Sequence, residues 1–202
     1  MTRIEFFFDC SSPWTYLAFH RLPAIARDMG AEIIWRPFLV GGVFNSVNPS
    51  VYEFRRAPVP AKAAYMAKDL ADWARLTGLT ILWPPRVFPV NSVKVMRACL
   101  LLDGTGYLPD FARGVFKAYW GENRDIGELA VLADVCRQCD IDPAVLEGVS
   151  RPEIKQLLKD NTAELIARGG FGSPTLFVGE DMYFGNDRLE LMHAMHAPAQ
   201  GR

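Results

Sequence analysis

Apolar and polar positions predict a strand, a tight turn and a helix at the start of the chain. Residues 3–8 are mostly apolar and are typical of a buried strand. The Ser12–Pro13 pair supplies an N-cap and a first-turn proline for an apolar-rich helix ending at Gly30. Pro23 lies inside this helix and is expected to bend it, because proline lacks the backbone N–H. Residues 31–38 predict a second strand, which gives a β-α-β opening.

The middle of the chain has a helical period, after a stretch rich in glycine and proline. Residues 40–60 contain so many of these helix breakers that we predict a surface loop. Helical periodicity then resumes at Ala61 and stops at Gly78. Three or four further helices are predicted, with candidates over residues 92–102, 108–120, 127–139 and about 150–168.

The end of the chain returns to a period of two. Two short strands, 175–178 and 182–184, are separated by a turn and followed by a helix over residues 186–196. A β-α-β opening and a β-β-α ending around an all-helical block predict an α/β class protein with a thioredoxin-like fold and a large helical insertion. The expected parts are a β-α-β part (1–40), a loop and helical insertion (41–150) and a C-terminal part (151–202).

Composition and charge narrow the class of partner. The 202 residues include 50% hydrophobic and 12% aromatic residues, as in a folded globular protein. With 22 basic and 23 acidic residues, the chain has no net field that would attract nucleic acid or an anionic membrane. No apolar stretch is long enough to cross a bilayer, and the first apolar run is too short for a signal peptide. We therefore expect a cytoplasmic protein with small-molecule partners.

The first strand-to-helix turn is the strongest candidate for chemistry. A helix N-terminus offers unpaired N–H groups and the positive end of the helix dipole, which stabilise an anion such as a thiolate. Thiol oxidoreductases place a cysteine at this position, whereas this chain has Ser12. A serine hydroxyl can donate a hydrogen bond to sulfur but cannot form a disulfide. The thiolate would then come from another molecule; alternatively, Ser12 is only a helix cap.

Two later motifs could complete such a site. The bond between Ser173 and Pro174 could be cis and turn main-chain groups of Ser173 toward Ser12, or Pro174 could simply open a strand. The turn that opens the last helix carries Asn186 and Asp187, which could hold the α-amino-acid end of a ligand or could only cap the helix.

These motifs together resemble a known family along nearly the whole chain. The chain resembles the 2-hydroxychromene-2-carboxylate isomerases and the kappa-class glutathione transferases, which have a thioredoxin fold with a helical insertion. The matching features occur in order: Ser12-Pro13 with Tyr16-Leu17, Arg36-Pro37, Lys62 with Tyr65 and Asp69-Leu70, Asn91-Ser92 with Met96-Arg97, Trp120 with Asp125-Ile126, Ser173-Pro174, and Gly185-Asn186-Asp187-Arg188.

The resemblance implies a glutathione site with Ser12 as its catalytic residue, donating a hydrogen bond to the glutathione sulfur. It also implies that Ser173 pairs with the peptide through its backbone beside a cis-proline. It implies that Asn186 and Asp187 bind the γ-glutamyl end of glutathione and that Asn48 and Lys62 contact other polar groups of the tripeptide. Asp69, Pro174 and Gly185 are also expected among the glutathione-binding residues. Lys62 could equally be a solvated surface residue, and Asp69 could only stabilise its own helix.

A second substrate would bind beside the thiol. Asn91 and the 40–60 segment are candidates for binding an anionic, ring-bearing molecule, with Trp14 and Trp120 as aromatic walls. Tryptophans are also common core residues, so this assignment has an alternative. The expected substrate is a small aromatic acid.

The cysteines and histidines predict neither redox chemistry nor a metal site. Cys136 and Cys139 form a C-x-x-C sequence, but it falls at the end of a helix rather than at a strand-to-helix turn. Cys10 and Cys99 are expected in the core. His193 and His196 do not have zinc-finger spacing relative to the cysteine pair, so we expect no metal.

The sequence therefore predicts a glutathione-dependent 2-hydroxychromene-2-carboxylate isomerase that adds and expels a thiolate. The alternatives are a glutathione transferase, a thiol-disulfide oxidoreductase using Cys136 and Cys139, and a non-enzymatic binding module. A homodimer is expected from the apolar insertion and the resemblance.

Overall fold

The computed structural model describes residues 2–198 and contains four strands and nine α-helices within that range. The strands are β1 (Arg3–Phe8), β2 (Glu32–Pro37), β3 (Thr175–Val178) and β4 (Asp181–Phe184). The helices are α1 (Pro13–Asp28), α2 (Val40–Ser46), α3 (Ser50–Arg56), α4 (Pro60–Thr77), α5 (Val93–Leu101), α6 (Leu108–Phe116), α7 (Leu129–Gln138), α8 (Pro152–Ala167) and α9 (Leu189–His196). Met1 and residues 199–202, which belong to the expected parts 1–40 and 151–202, lie outside the described residues.

The four strands form one mixed sheet in the order β2-β1-β3-β4. β1 pairs in parallel with β2 and antiparallel with β3, and β3 and β4 form an antiparallel hairpin. The parallel pair requires a crossover, which α1 provides. The predicted α/β class with a thioredoxin-like fold and a helical insertion is confirmed.

β1 is an interior strand of the sheet and is covered on both faces. Phe6 and Phe8 pack into the large cluster beneath α1, and Phe7 packs into a smaller cluster on the other face with Phe38 and Phe177. The three phenylalanine side chains of β1 are completely buried. The carboxyl end of this rigid strand leads directly into the turn that contains Ser12.

Helix α1 continues through Pro23, which the sequence predicted would interrupt and bend it. The backbone is α-helical without a break from Pro13 to Asp28. Tyr16, Phe19 and Leu22 bury one face of it against the sheet and the insertion. We attribute the tolerance of Pro23 to this burial, which offsets the loss of one main-chain hydrogen bond.

The prediction that residues 40–60 are a surface loop is wrong. Most of this segment forms α2 and α3. The N–H of Val40 is fixed by the carboxylate of Asp9 at 2.9 Å, and Val40 and Val43 are buried in the smaller cluster. Pro49 and Pro60 lie at the N-terminal ends of helices, where a missing N–H costs nothing.

Several boundaries also differ from the sequence prediction. The helix expected over 108–120 ends at Phe116 and continues as a π-helical turn, Lys117–Gly121. A 3₁₀ segment, Pro143–Ser150, was not predicted, and a 3₁₀ turn, Asn186–Arg188, precedes α9. Within residues 2–198 no helix combines the length and apolar character needed to cross a bilayer.

Candidate active site

Ser12 caps α1 and contacts a residue from the other end of the chain. Its Oγ accepts a hydrogen bond from the Thr15 N–H at 3.2 Å, and its hydroxyl donates to the Ser173 carbonyl oxygen at 3.0 Å. Pro13 follows at the first helical position. The positive end of α1 and the Ser173–Pro174 step therefore meet at one half-buried hydroxyl.

Ser173 presents its backbone to Ser12 and its side chain to the protein interior. The Ser173–Pro174 bond is cis. The Ser173 hydroxyl accepts a hydrogen bond from the Asp9 N–H at 3.0 Å and forms another with the Thr15 hydroxyl at 2.7 Å. With these two partners the side chain fixes the loop, while the carbonyl oxygen has a second lone pair available for a ligand.

Asp9 joins the segments around the Ser12 turn, and the sequence reasoning did not single it out. Its carboxylate accepts hydrogen bonds from the Ser11 N–H at 2.9 Å, the Val40 N–H at 2.9 Å and the Ser92 hydroxyl at 3.0 Å. Burial raises the pKa of Asp9, and these donors oppose that shift. The sequence feature that could have identified Asp9 is an acidic residue directly after three consecutive phenylalanines of a predicted buried strand.

An open cavity of about 620 Å³ begins at Ser173. Seven of the residues expected in the site line it, namely Trp14, Asp69, Ser173, Pro174, Gly185, Asn186 and Asp187. Four residues that were not expected there complete the lining: Tyr65, Trp73, Phe184 and Arg188. The cavity lies between α4 on one side and the turn before α9 on the other.

The turn before α9 forms one wall of this cavity. Gly185 adopts φ 102 and ψ 160, a conformation that is nearly restricted to glycine. A Cβ atom there would lie 2.7 Å from Oδ1 of Asp187. Asn186 is buried, whereas the Asp187 side chain is half exposed and pairs with Arg188 at 2.6 Å. The turn therefore presents a carboxylate to the cavity.

Arg21 of α1 binds this turn from outside the cavity, and it was not among the predicted site residues. Its guanidinium donates to the main-chain oxygen of Asn186 at 2.8 Å and to Oδ1 of Asn186 at 2.6 Å. It also pairs with Glu190 and lies over the Trp73 ring, 4.7 Å from its centroid. Nothing in the local sequence marks Arg21, because the partners on the turn and α9 are more than 160 residues away.

Helix α4 provides the opposite wall. Tyr65, Asp69 and Trp73 line the cavity, and Lys62 lies on the same helical face because the spacings are three and four residues. Lys62 is exposed near the beginning of α4. Asp69 and Asp187 thus face one space from two elements, and Lys62 adds a cation at one end of the helix.

Asn48 lies beside the Ser173 loop. Its Nδ2 donates to the Phe171 carbonyl at 3.1 Å, and its Oδ1 accepts from the Ser50 hydroxyl at 2.8 Å. Phe171 is two residues before Ser173. The structure thus places Asn48 next to the cavity without making it part of the lining.

Asn91 and Trp120, which were predicted to bind a second substrate, are not in the cavity. Asn91 is exposed, and its side chain accepts from the Val93 N–H at 3.1 Å at the start of α5. Trp120 is completely buried, stacks on Trp83 and donates to the Cys10 carbonyl at 3.0 Å. A pocket wall must be exposed, so the expectation that Trp120 forms one is corrected: it is a core residue.

Arg55 is a cation that lies over two aromatic rings. The Arg55 guanidinium carbon is 5.6 Å from the Phe44 ring centroid and 5.3 Å from that of Phe88. Arg55 is exposed, and no carboxylate of residues 2–198 pairs with it. Phe44 follows Val40 by one helical turn, and Phe88 precedes Ser92 by four residues. Both ring-bearing segments are therefore tied to the Asp9 carboxylate.

The cysteines are free thiols in the described range. Cys10 and Cys99 are buried, as expected. Burial raises the pKa of Cys136 to about 11 and also raises that of Cys139.

In residues 2–198 no group of three or more potential metal ligands comes together. His193 pairs with Asp28, and the His196 ring lies 3.0 Å from the Tyr183 hydroxyl.

The chain is similar to known proteins over nearly its whole length. A model of the DSBA-like thioredoxin domain matches residues 3–195. The 2-hydroxychromene-2-carboxylate isomerase of Pseudomonas putida is 31% identical over 199 residues, covering 95% of this chain and 92% of that protein. Glutathione S-transferase kappa 2 of Caenorhabditis elegans is 28% identical and covers 92% of this chain and 88% of its own length.

Solved structures agree with this grouping. The structure of a 2-hydroxychromene-2-carboxylate isomerase superimposes with a TM-score of 0.81 at 28% identity. The match covers 96% of this chain and 93% of that one. The similarity thus extends over the sheet, the helical insertion and the turn before α9.

Proposed function

Because the chain belongs to the DSBA-like thioredoxin domains and is related to the 2-hydroxychromene-2-carboxylate isomerases and kappa-class glutathione transferases, we propose that this enzyme uses glutathione as its thiol. The proposed reaction is the isomerisation of a 2-hydroxychromene-2-carboxylate or a similar small aromatic acid. The relatives' names support the reaction class. The residues around Ser12 support the thiol.

One observation carries the proposal: a serine hydroxyl caps α1 where a thiol oxidoreductase would have its cysteine, 3.0 Å from the Ser173 carbonyl. The site can stabilise a thiolate but has no sulfur of its own at this position. Lowering a thiol pKa from roughly 8.5 to near 6.5 corresponds to about 2.7 kcal/mol. A helix N-terminus and one hydroxyl donor are sufficient for a shift of this size.

Binding would redirect the Ser12 hydroxyl. In the free protein this hydroxyl donates to the Ser173 carbonyl. When the backbone N–H of the glutathione cysteine donates to that carbonyl instead, the Ser12 hydroxyl can rotate and donate to the sulfur. The exchange keeps the number of hydrogen bonds at the carbonyl constant and turns the cap of α1 into a thiolate donor.

The remaining charges of glutathione have counterparts in the cavity. Asp69 and Asp187 face the same space and would bind the γ-glutamyl ammonium. The N–H groups of the turn that begins at Gly185 would bind the neighbouring carboxylate. Lys62, with Asn48 on the adjacent loop, would bind the glycyl carboxylate. Two carboxylates and an ammonium thereby each meet a group of opposite charge or a hydrogen-bond partner.

The proposed chemistry is a reversible addition. The hemiketal ring of the substrate first opens: the bond between C2 and the ring oxygen breaks, the C2 hydroxyl becomes a ketone and its proton passes to the phenolic oxygen. The thiolate then forms a C–S bond with a conjugated carbon of the open-chain enone, and the electron pair of the double bond moves to the ketone oxygen as an enolate. The former double bond is then single and can rotate. Return of the electron pair breaks the C–S bond and expels the thiolate, so glutathione is regenerated and no net proton is consumed.

Arg55 is the proposed partner of the substrate carboxylate. It is an exposed cation over the Phe44 and Phe88 rings, on segments that Asp9 ties to the Ser12 turn. An aromatic acid could place its carboxylate on the guanidinium and its ring against these aromatic side chains. Asn91 at the start of α5 and Trp14 in the cavity are further candidates for substrate contact.

A glutathione transferase is the second candidate, favoured by the kappa-class relatives. The same thiolate would add to an electrophile and stay bonded to it. The two reactions differ in whether the product retains the peptide, which mass spectrometry of the product measures directly.

Location and assembly are part of the same proposal. The cytoplasm keeps glutathione reduced and would supply the thiol. A homodimer would cover apolar side chains of α4 such as Leu76, which is 76% exposed. Light scattering coupled to size exclusion would give the oligomeric state.

Calorimetric titration with glutathione tests the proposed function, with ultraviolet absorbance reporting the bound thiolate. We expect wild type to bind glutathione and to lower the pKa of its thiol. Ser12→Ala should bind glutathione but lose most of the thiolate signal. Absence of glutathione binding in wild type would contradict the proposal. An unchanged thiolate signal in Ser12→Ala would show that Ser12 only caps α1.

A further inference from the structure

The Arg21 guanidinium connects both walls of the cavity from outside it. Its side chain is only 15% exposed although arginine is usually a surface residue. It donates two hydrogen bonds to Asn186 on the turn and lies over Trp73 of α4. One largely buried cation of α1 thus contacts the two elements that carry Asp187 and Asp69.

The same contacts determine what Asn186 can offer a ligand. Arg21 occupies its side-chain oxygen and its main-chain oxygen at 2.6 and 2.8 Å. Asn186 is 2% exposed. Its amide oxygen therefore binds Arg21 in the protein interior. The turn would contact a ligand through its N–H groups and the carboxylate of Asp187.

The charge of Arg21 is compensated behind the turn. Glu190 of α9 pairs with the guanidinium, and burial lowers the pKa of Arg21 while Asp187 opposes that shift. Glu190 pairs with this cation, so Arg21 does not take up the carboxylates of Asp69 and Asp187, which line the cavity; Asp187 also pairs with the exposed Arg188. An ammonium group is the complementary ligand.

We propose that Arg21 is the positioning residue for the γ-glutamyl end of glutathione: it holds the 185–188 turn at a fixed distance from α4, so that Asp187 and Asp69 bind one ammonium group together. The inference rests on the proposed function. It assigns Arg21 no contact with the ligand. Its contribution is selective, because the thiol end of the ligand contacts Ser12 and Ser173 instead.

The test compares glutathione with cysteinylglycine, which lacks the γ-glutamyl group, by calorimetry on four proteins. Arg21→Met keeps the apolar stem of the side chain but removes the hydrogen bonds to Asn186. Arg21→Lys keeps the charge. Arg27→Met changes an exposed arginine on the same helix and is the matched control. Thermal melting establishes that each variant is folded.

We expect Arg21→Met to weaken glutathione binding about tenfold or more and to change cysteinylglycine binding by less than about twofold. Arg21→Lys should recover part of the loss, and Arg27→Met should bind both peptides like wild type. In turnover, Arg21→Met should raise KM for glutathione and leave kcat at saturation unchanged.

Equal weakening of both peptides would show a general loss of structure and overturn the inference, as would unchanged glutathione binding. If wild type binds neither peptide, the proposed function itself fails. If wild type binds both peptides equally well, glutathione still binds by its thiol end, but the assignments of Arg21 and of Asp69 and Asp187 to the γ-glutamyl end are lost.

Discussion

The hydroxyl of Ser12 donates a hydrogen bond to the carbonyl of Ser173, 161 residues further along the chain. Thr15 links the same two residues a second time, because its N–H donates to Ser12 and its hydroxyl pairs with that of Ser173. The N-terminus of α1 and the loop before β3 are therefore one unit. Changes at Ser12 should affect both the stability of α1 and the state of a bound thiol.

Ser12→Ala should lower the free energy of unfolding by about 1 kcal/mol, because the Thr15 N–H loses its cap. It should also reduce the thiolate fraction of bound glutathione near neutral pH by roughly tenfold, because the proposed sulfur donor is missing. Urea denaturation gives the first quantity and absorbance of the bound thiol as a function of pH gives the second.

Ser12→Thr is the matched control, because it keeps a hydroxyl that can cap the helix and donate to sulfur. We expect it to recover most of both losses. If Ser12→Ala lost stability but kept the thiolate, the hydroxyl would be a cap alone, and the thiolate would owe its stability to the helix N-terminus.

Gly185→Ala should weaken glutathione binding and destabilise the fold. The backbone at φ 102 and ψ 160 is nearly closed to other residues, and the added Cβ would lie 2.7 Å from Oδ1 of Asp187. Strain of this kind costs about 1–3 kcal/mol. The clash would also push the Asp187 carboxylate out of its position in the cavity. Calorimetry with glutathione and urea denaturation measure the two effects.

Gly179→Ala separates strain from the clash. Gly179 also has a positive φ, of 61, but a Cβ there meets nothing within 4 Å. We expect this variant to lose about 1–2 kcal/mol of stability and to bind glutathione normally. Comparable weakening of binding in both variants would mean that the turn before α9 does not contact the ligand.

Arg55→Met should raise KM for an aromatic acid substrate about tenfold, because a charge-assisted hydrogen bond is lost. Glutathione affinity should be unchanged, since Arg55 is not among the residues that line the cavity. Steady-state kinetics with the acid and with its methyl ester would distinguish recognition of the carboxylate from recognition of the ring.

Arg56→Met is the control for net charge. Arg56 is the next residue and is exposed, but it stacks on neither ring in the part of the chain described. It should leave the KM for the acid unchanged. An equal effect of both variants would indicate a general attraction of anions, and the absence of any effect of Arg55→Met would place the carboxylate elsewhere.

The order of the elements and the principal residues of the cavity could be predicted because each has a local signature. Ser12 precedes a proline at a strand end, Ser173 does the same, and Gly185 opens a turn before a helix. Each motif consists of a few consecutive residues and can be recognised without knowledge of the fold. That the three meet follows from the β-α-β and β-β-α order, because a mixed sheet brings these ends together.

Asp9 and Trp120 show what local patterns could not supply. Asp9 acts on Val40 and Ser92, which are 31 and 83 residues away, so its role depends on the packing of the insertion. Trp120 is completely buried, but its sequence context is equally consistent with a pocket wall. Exposure of an aromatic residue is decided by tertiary contacts that the pattern of one helix does not contain.

The double variant Cys136→Ser with Cys139→Ser should retain full turnover, because neither thiol lies in the cavity. Wild type should not reduce the disulfides of insulin. Burial raises the pKa of Cys136 to about 11 and raises that of Cys139, so at pH 8 the thiolate fraction is lower than in an ordinary cysteine. Alkylation by iodoacetamide should therefore be slow at pH 8 and accelerate as the pH approaches 11.

The sign of this pH dependence distinguishes the two kinds of thiol chemistry. The nucleophilic thiol of a redox-active pair has a lowered pKa and reacts rapidly below pH 8, whereas these thiols should react slowly at pH 8 and faster as the pH rises. Insulin reduction by wild type that disappears in the double variant would establish disulfide exchange at α7. Its absence, together with retained turnover, would assign the chemistry to an external thiol held at Ser12.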